Sequence, residues 1–436
     1  MRRSSINRWA LAFAIVGLIV ISPAAHAAGF GIFEQGSKAM GMAGAFTAQA
    51  DDPSAIFHNA GGLAFQTEET KISAGFTYIR GLTAEFEGAD PFPGEGYSGE
   101  QETLSEFPPH IYYVRPISDR LVFGLGAFAP FGLTTEWDED FRGRFISRLA
   151  SLQTLDINPT LGYQVTENFG IGFGAVARLS TVELERHVAL VNPFTLTAAD
   201  VATLRLEGEL TDNVGYGYNL GMLHKVNNSF SWGLSYRSKI EIDYEGDASV
   251  SQNLTGTPFD ALVGGALPFG TTFPVETAIE FPDMASFGMA FALGPNSLLE
   301  TDVNWTGWST FDALPVIFPG EELPNLNLPE EYDDVYNYRL GLSYNSSPGR
   351  QWRFGVVYDE TPQPEGSVSP LLPDSDRIGV TVGYGYEGNK WDVDFAAMYL
   401  DFDERTRDEN FPGDNDSTFF GTYNQEALLV GLTVSR

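Results

Sequence analysis

The 436-residue chain has no cysteine, and it carries 25 lysines and arginines against 58 aspartates and glutamates. The missing thiols rule out disulfides, cysteine-ligated zinc and thiol catalysis. The formal charge is −33; losing Arg2, Arg3 and Arg8 with the first 27 residues takes it to −36. So few cations exclude a nucleic-acid partner, because phosphates must be neutralised by lysine and arginine. Strong acidity instead suits long solvated loops. Disorder is countered by 43% hydrophobic and 13% aromatic residues. Histidine is scarce too: His26, His58, His110, His187 and His224 are widely spaced, with no metal-ligand spacing. No nucleophile elbow accompanies them. No enzyme, cofactor or metal is expected, and a barrel lipase using a Ser-His pair is the least favoured rival. Beyond residue 27 there is no uncharged run of the roughly 20 residues a spanning helix needs. If this chain crosses a membrane it does so with strands, since lipid tolerates only helices and closed barrels.

What is present begins with an address. Arg2, Arg3 and Arg8 precede an apolar run of 13 residues, Trp9 to Ile21, and Ala25-His26-Ala27 is a small-x-small cleavage signal. Residues 1–27 are expected to be a signal peptide, leaving Ala28 first. In residues 28–67, glycines 29, 31, 36, 41, 44, 61 and 62 alternate with alanine and methionine without a period of two. Such small residues suit a coiled segment packed against or inside something larger. From about Glu69 onward the period is two. Trp352, Phe354, Val356 and Tyr358 share one face, as do Trp391, Val393, Phe395, Ala397 and Tyr399, and Leu428, Val430, Leu432 and Val434. Alternation over such lengths is the strand signal. Tyr112, Tyr113, Trp232, Tyr236, Trp305, Trp308, Tyr384 and Tyr386 lie near strand ends, as interfacial girdles do.

Connections alternate between tight and long. Tight ones fall at 117–119, 166–168, 227–229, 294–296, 346–349 and 387–389, all with turn-forming residues. Long ones fall near 81–106, 133–150, 187–213, 251–271, 313–333, 363–374 and 407–420. Together they predict an all-β fold: a transmembrane antiparallel barrel of about fourteen strands over residues 68–436, both chain ends on the periplasmic side.

The order of short motifs carries a resemblance. Ala28-Gly29-Phe30 is followed by Ser37 with Gly41-Met42-Ala43-Gly44-Ala45, then Ala50-Asp51-Asp52-Pro53-Ser54 and His58-Asn59-Ala60-Gly61-Gly62-Leu63-Ala64. Later come Phe131 to Trp137, Tyr236 to Tyr244, Phe281-Pro282-Asp283-Met284, and Tyr358 to Pro364 through Pro373 to Arg377. Over nearly the whole mature length the chain resembles the long-chain fatty acid transporters of outer membranes (FadL type, including aromatic-hydrocarbon uptake channels). The resemblance implies passive uptake of hydrophobic compounds, most readily long-chain fatty acids. It also implies a barrel whose lumen is plugged by an N-terminal hatch, residues 28–67. Ligand would be captured outside, held in a lumen pocket, and released sideways after the hatch shifts. Uptake of neutral aromatic or alkane hydrocarbons by the same route is the alternative, and a polar-solute porin is a second.

Particular residues are singled out. Pro130 interrupts a strand, and Ala129-Pro130-Phe131-Gly132 aligns with the family's inward kink, which opens a lateral gap. Phe30, Asn59, Ala60 and Gly61 are expected in the gating hatch, Asn59 tying it to the barrel; Ala60 stands where the family usually has proline. Loop 251–271, with Phe259, Leu262, Leu267 and Phe269, and loop 187–213, with Phe194 and Leu204, are apolar enough to form the outer groove. Arg178 and Arg186 share the parity of Gly170, Gly172, Gly174 and Ser180, which reads as the lumen face. Either could meet a carboxylate head group or a lumen acid; Arg186 matches a ligand-contacting arginine of the family. The family's second basic contact is missing near Val335, where Asp333 and Asp334 stand. The C-terminal Val434-Ser435-Arg436 also lacks the usual aromatic last residue. The acidic run Asp408 to Asp416 reads as solvated loop. The expected partners are hydrophobic small molecules, outer-membrane lipid and lipopolysaccharide, and the barrel assembly machinery.

Overall fold

In the computed structural model the described residues are 29–208, 214–408 and 419–436. The expected signal peptide and most of the acidic run 408–416 lie outside them. Fourteen strands run in chain order around a closed antiparallel barrel. They are β1 Lys71–Gly88, β2 Pro109–Ser118, β3 Leu121–Phe128 continuing as Gly132–Glu136, β4 Leu149–Thr166 and β5 Phe169–Asn192. β6 comprises Thr197–Gly208 and Val214–Asn227, β7 Phe230–Arg237 and Ile240–Gln252, and β8 Thr272–Phe281 and Met284–Ala292. β9 Ser297–Thr306, β10 Val335–Ser347, β11 Arg350–Asp359, β12 Arg377–Glu387, β13 Asp392–Phe402 and β14 Gly421–Ser435 complete the circuit. Closure is made by β14 against β1, from Ser73 opposite Ser435 to Gly88 opposite Gly421. With every strand paired on both sides over most of its length, little open edge is left to hydrogen-bond lipid.

Alternation decides which face is which. Ile111, Leu161, Phe173, Leu220, Phe287, Leu340, Phe354, Val380, Phe395 and Leu432 are large, apolar and exposed, and all lie on strands. A soluble protein does not display such a belt; a lipid-facing one does. Among the described residues no helix is long and apolar enough to cross a membrane. All six tight turns fall where the sequence places them. Loop 187–213 differs. β5 runs on to Asn192 and turns at once into Thr197–Gly208, paired from Val182–Gly208 to Asn192–Thr197, so most of this segment is a hairpin standing above the belt. Two aromatics assigned to the girdle are also inside. Tyr112 is fully buried with its hydroxyl donating to Gln35 O, and Trp308 is packed in the lumen core.

The hatch fills the lumen with little regular structure: α1 Ser37–Met40, α2 Ala55–His58 and a 3-10 turn Ala60–Phe65. A segment with so few internal bonds must satisfy its backbone elsewhere, and inward-facing side chains of the wall do this. Asp302 accepts from the N–H groups of Phe46 and Thr47, and Glu300 from those of Ala48 and Gln49. Arg339 donates to Ala43 O and Arg237 to Ile56 O and Phe57 O, while Thr381 and Ser231 donate to Gly41 O and Ala48 O. Close approach needs glycine in the wall. A Cβ on Gly172 would lie 2.2 Å from Ala60 O, and one on Gly233 would lie 2.1 Å from Thr47 O.

Candidate binding cavity and lateral window

Three prolines lie close together in neighbouring strands. β2 opens at Phe107-Pro108-Pro109, and β3 breaks at Pro130; in the register of the pair, His110 faces Phe128. Proline has no N–H for a ladder, so each of these positions removes a donor. β2 therefore starts at Pro109, although β1 extends well beyond its partner Phe76. Above that level β1 pairs instead with the loop strands at Ser105–Glu106 and Ser98–Glu100. The loop reaches β3 only at its far end, where Glu102 N donates to Glu136 O and Gln101 bridges to Trp137. Between these ties the wall is unzipped. This window is bounded by Leu104 to Pro109 on one side and Ala129 to Thr134 on the other. A single side-chain bond crosses it, Thr134 Oγ1 to Glu106 Oε1 at 3.3 Å.

The kink at 129–131 turns inward and is claimed by the hatch. Ile32 N donates to Pro130 O at 2.8 Å, and Gly132 N donates to Phe30 O at 3.0 Å, so Gly31 and Phe131 pair as if in a sheet. Thr154 on β4 accepts from Phe131 N and donates to Phe131 O. Every backbone group freed by the kink on Phe131 thus has a partner. The Phe131 ring is 1% exposed and joins Phe30, Phe281, Trp308 and Phe311 in one aromatic cluster, with Phe30 and Trp308 centroids 4.6 Å apart.

Behind the window lies a cavity of about 500 Å³. Its outer part is apolar, with Leu82, Leu104, Phe107 and Leu133; its inner end meets Phe30, Leu372, Leu400 and Phe402. Polar groups gather at that inner end: Glu34 of the hatch, Asp374 of the β11–β12 connection, and Arg377. Asp374 Oδ2 accepts from Gly29 N at 3.1 Å and from Thr361 Oγ1 at 2.6 Å, which fastens the hatch's first described residue. Burial pushes the Asp374 carboxyl up to about 6, with Arg377 and these two hydrogen bonds opposing. Arg377 Nε lies 3.1 Å from Asp359 Oδ2, and Arg339 lies on the other oxygen of Asp359.

The residues singled out from sequence separate into groups. Phe30, Ala129, Phe131 and Gly132 line the cavity, and Pro130 lends its carbonyl to the hatch. Asn59 is fully buried, and its Nδ2 donates to Thr47 O at 2.7 Å and to Met222 O of β6 at 2.9 Å. Ala60 and Gly61 sit against the wall glycines 172 and 221. Leu204, Phe259, Leu267 and Phe269 come together with Val316 and Phe318 in a second apolar cluster. There the loops close on one another, where an outer groove was expected. Leu262 and Phe194 stay outside it, 53% and 64% exposed, Phe194 at the tip of the β5–β6 hairpin. Arg178 faces inward but is held by Asp156 through two bonds, Nε to Oδ1 at 2.7 Å and Nη2 to Oδ2 at 2.9 Å, and lies over the Phe131 and Phe281 rings. Arg186 is half-buried opposite Leu204 and has no hydrogen bond or ion pair among the described residues. Neither arginine lines the cavity. Among the described residues no group of His, Asp and Glu could hold a metal.

Comparison with known proteins agrees with this architecture. Residues 18–436 match the family model described as outer membrane protein transport protein (OMPP1/FadL/TodX). A long-chain fatty acid transport protein of Escherichia coli is 26% identical over 406 residues, covering 88% of this chain and 89% of its own. Outer membrane protein P1 of Haemophilus influenzae is 22% identical, with 88% of each chain covered. The crystal structure of a Pseudomonas aeruginosa FadL homologue superposes with a TM-score of 0.78 at 21% identity, covering 94% of this chain and 99% of the other. The toluene transporter TodX of Pseudomonas putida gives 0.71 at 17%, covering 92% and 98%. A match over almost the entire length, on a plugged barrel of the same architecture, makes this chain a member of the OMPP1/FadL/TodX family of outer membrane transport proteins.

Proposed function

We propose that this protein takes up small hydrophobic molecules across the outer membrane of a Gram-negative cell by passive lateral diffusion. The observation that carries the reading is the continuous cavity from the hatch at Phe30 to the unzipped wall at Pro108, Pro109 and Ala129. A pore for polar solutes has no need of such an opening, because its cargo leaves along the barrel axis. An apolar molecule gains by leaving through the wall: moving directly into lipid, it avoids rehydration worth about 0.8 kcal/mol per CH2. In the proposed sequence, ligand first meets the loop cluster around Leu204 and Phe259, with Leu262 and Phe194 exposed beside it. It then passes Arg186 to the inner cavity as the hatch shifts, and exits at the window. The relatives' names, a long-chain fatty acid transport protein and a toluene transporter, support hydrophobic cargo. In this reading outer-membrane lipid and lipopolysaccharide surround the belt, and the barrel assembly machinery inserts it.

The test is uptake of labelled oleate and toluene by cells lacking any transporter of this family, with and without this protein. Uptake of at least one above the background of the empty strain is expected. Uptake of neither, or a steady ion conductance of the native protein in planar bilayers, refutes the reading.

A further inference from the structure

We infer that the lateral passage discriminates by charge: it admits uncharged apolar molecules and turns away carboxylates. This rests on the uptake reading above and concerns the form in which cargo leaves. The cavity lining carries five acidic residues, Glu34, Glu102, Glu106, Asp374 and Glu426, against one basic residue, Arg377. That arginine is already engaged with Asp359, which is 2% exposed and also meets Arg339. A ligand carboxylate would therefore have to displace an existing ion pair to reach it. The acids stand along the whole route. Glu34 projects from the hatch at the inner end, which Asp374 also lines, with its Oδ2 accepting from Gly29 N and Thr361 Oγ1.

The window carries acids of its own. Glu106 is half-buried there and held across the opening by Thr134 Oγ1, so its charge is fixed in the path and cannot swing away without losing that bond. Glu102 lies at the same rim, where its backbone ties the loop to β3. In a passage flanked by hydrocarbon, charges interact more strongly than in water. An anion must pass both carboxylates, of which the half-buried Glu106 is less screened by solvent than the exposed Glu102, whereas an alcohol, an alkane or an arene does not feel them. A carboxylic acid would leave in its protonated form.

The experiment compares initial uptake rates of labelled tetradecanol and tetradecanoate at neutral pH in cells lacking other transporters of this family. It uses the full-length native protein and the triple variant Glu34→Gln/Glu102→Gln/Glu106→Gln. Heat-modifiable gel migration confirms that each barrel is folded, and Glu106→Gln alone serves if the triple variant is not. The native protein is expected to favour the alcohol by about tenfold or more, a modest demand on such charges. The variants should move the ratio towards unity. Equal native rates, or a ratio unchanged in a folded variant, overturns the inference while leaving hydrophobic uptake standing. If neither compound enters above background, the uptake reading fails and the charge filter fails with it.

Discussion

Ile32 of the hatch donates its backbone N–H to the carbonyl of Pro130 in the wall, 2.8 Å away, and the kink and the plug are joined there as one short piece of sheet. Either element moving disturbs the other. Ile32→Pro removes the donor and leaves the Pro130 carbonyl short of a partner, a loss of about 1–3 kcal/mol at a buried site. The expected result is a folded barrel whose hatch is cleaved more readily by added protease between residues 29 and 36. A cleavage rate equal to that of the native protein shows the contact to be passive.

Seating of the hatch rests on the wall glycines. Gly172→Ala brings a methyl group to 2.2 Å from Ala60 O, so hatch or strand must shift. Overpacking of this kind costs about 1–3 kcal/mol. Asn59→Asp works from the other side, because a carboxylate cannot donate to Thr47 O or Met222 O. Both variants should raise single-channel conductance in planar bilayers above a silent native protein. Silence in both refutes the assignment of the hatch as a seal.

The two lumen-parity arginines should part company. Arg178→Ala strands Asp156, which is fully buried, and breaking a buried pair from one side typically costs about 3–5 kcal/mol. A general loss of folded protein is expected, blind to ligand charge. Arg186→Ala breaks no pair and should leave stability within about 0.5 kcal/mol, the usual range for sites without special contacts. Its expected effect is weaker binding of oleate to the purified protein with toluene binding kept. Equal loss for both ligands rules out a head-group role for Arg186.

Asp374 predicts a pH dependence. Its carboxyl is raised by burial to about 6 in the folded protein, above its ordinary value, so the folded state holds the proton more tightly than the unfolded one. The sign follows: stability rises as pH falls from about 7 towards 4, and the cost of ionisation is fully present above 6. The contribution is at most about 3 kcal/mol. Thermal melts of Asp374→Asn should lose this part of the slope and show a higher Tm than the native protein at neutral pH. A parallel pair of Tm-against-pH curves contradicts the assignment.

Much of the barrel was legible because its signals are local. Turn chemistry at six tight connections and a period of two over each strand give the strand count without any long-range information. The hatch shows itself as a change of composition, and Asn59 and Pro130 stand out by residue type. The period alone does not say which face meets lipid where both carry aromatics, which is why Tyr112 and Trp308 read as girdle residues though they are buried in the lumen. The β5–β6 hairpin was hidden for a related reason: the segment from His187 onward looks like loop because its strands stand beyond the belt, where the pattern is no longer set by lipid. The cavity's polar end was not legible. Asp374 and Arg377 are near neighbours in the chain, but Glu34 comes from the far N-terminal hatch and meets them only because the hatch is folded into the closed barrel. Pro108-Pro109 opening a strand next to one broken by Pro130 marks paired losses of ladder donors.

Those prolines make the window a permanent feature of the polypeptide. A gap held open by side chains could zip shut when the cargo has gone, since amide donors and carbonyls would find each other again. Here the missing donors are absent from the covalent chain, so the seam cannot heal at those positions in any conformational state. In the proposed route, control of traffic would therefore fall to the plug: the doorway stays cut at those positions, and what varies is whether anything stands in it.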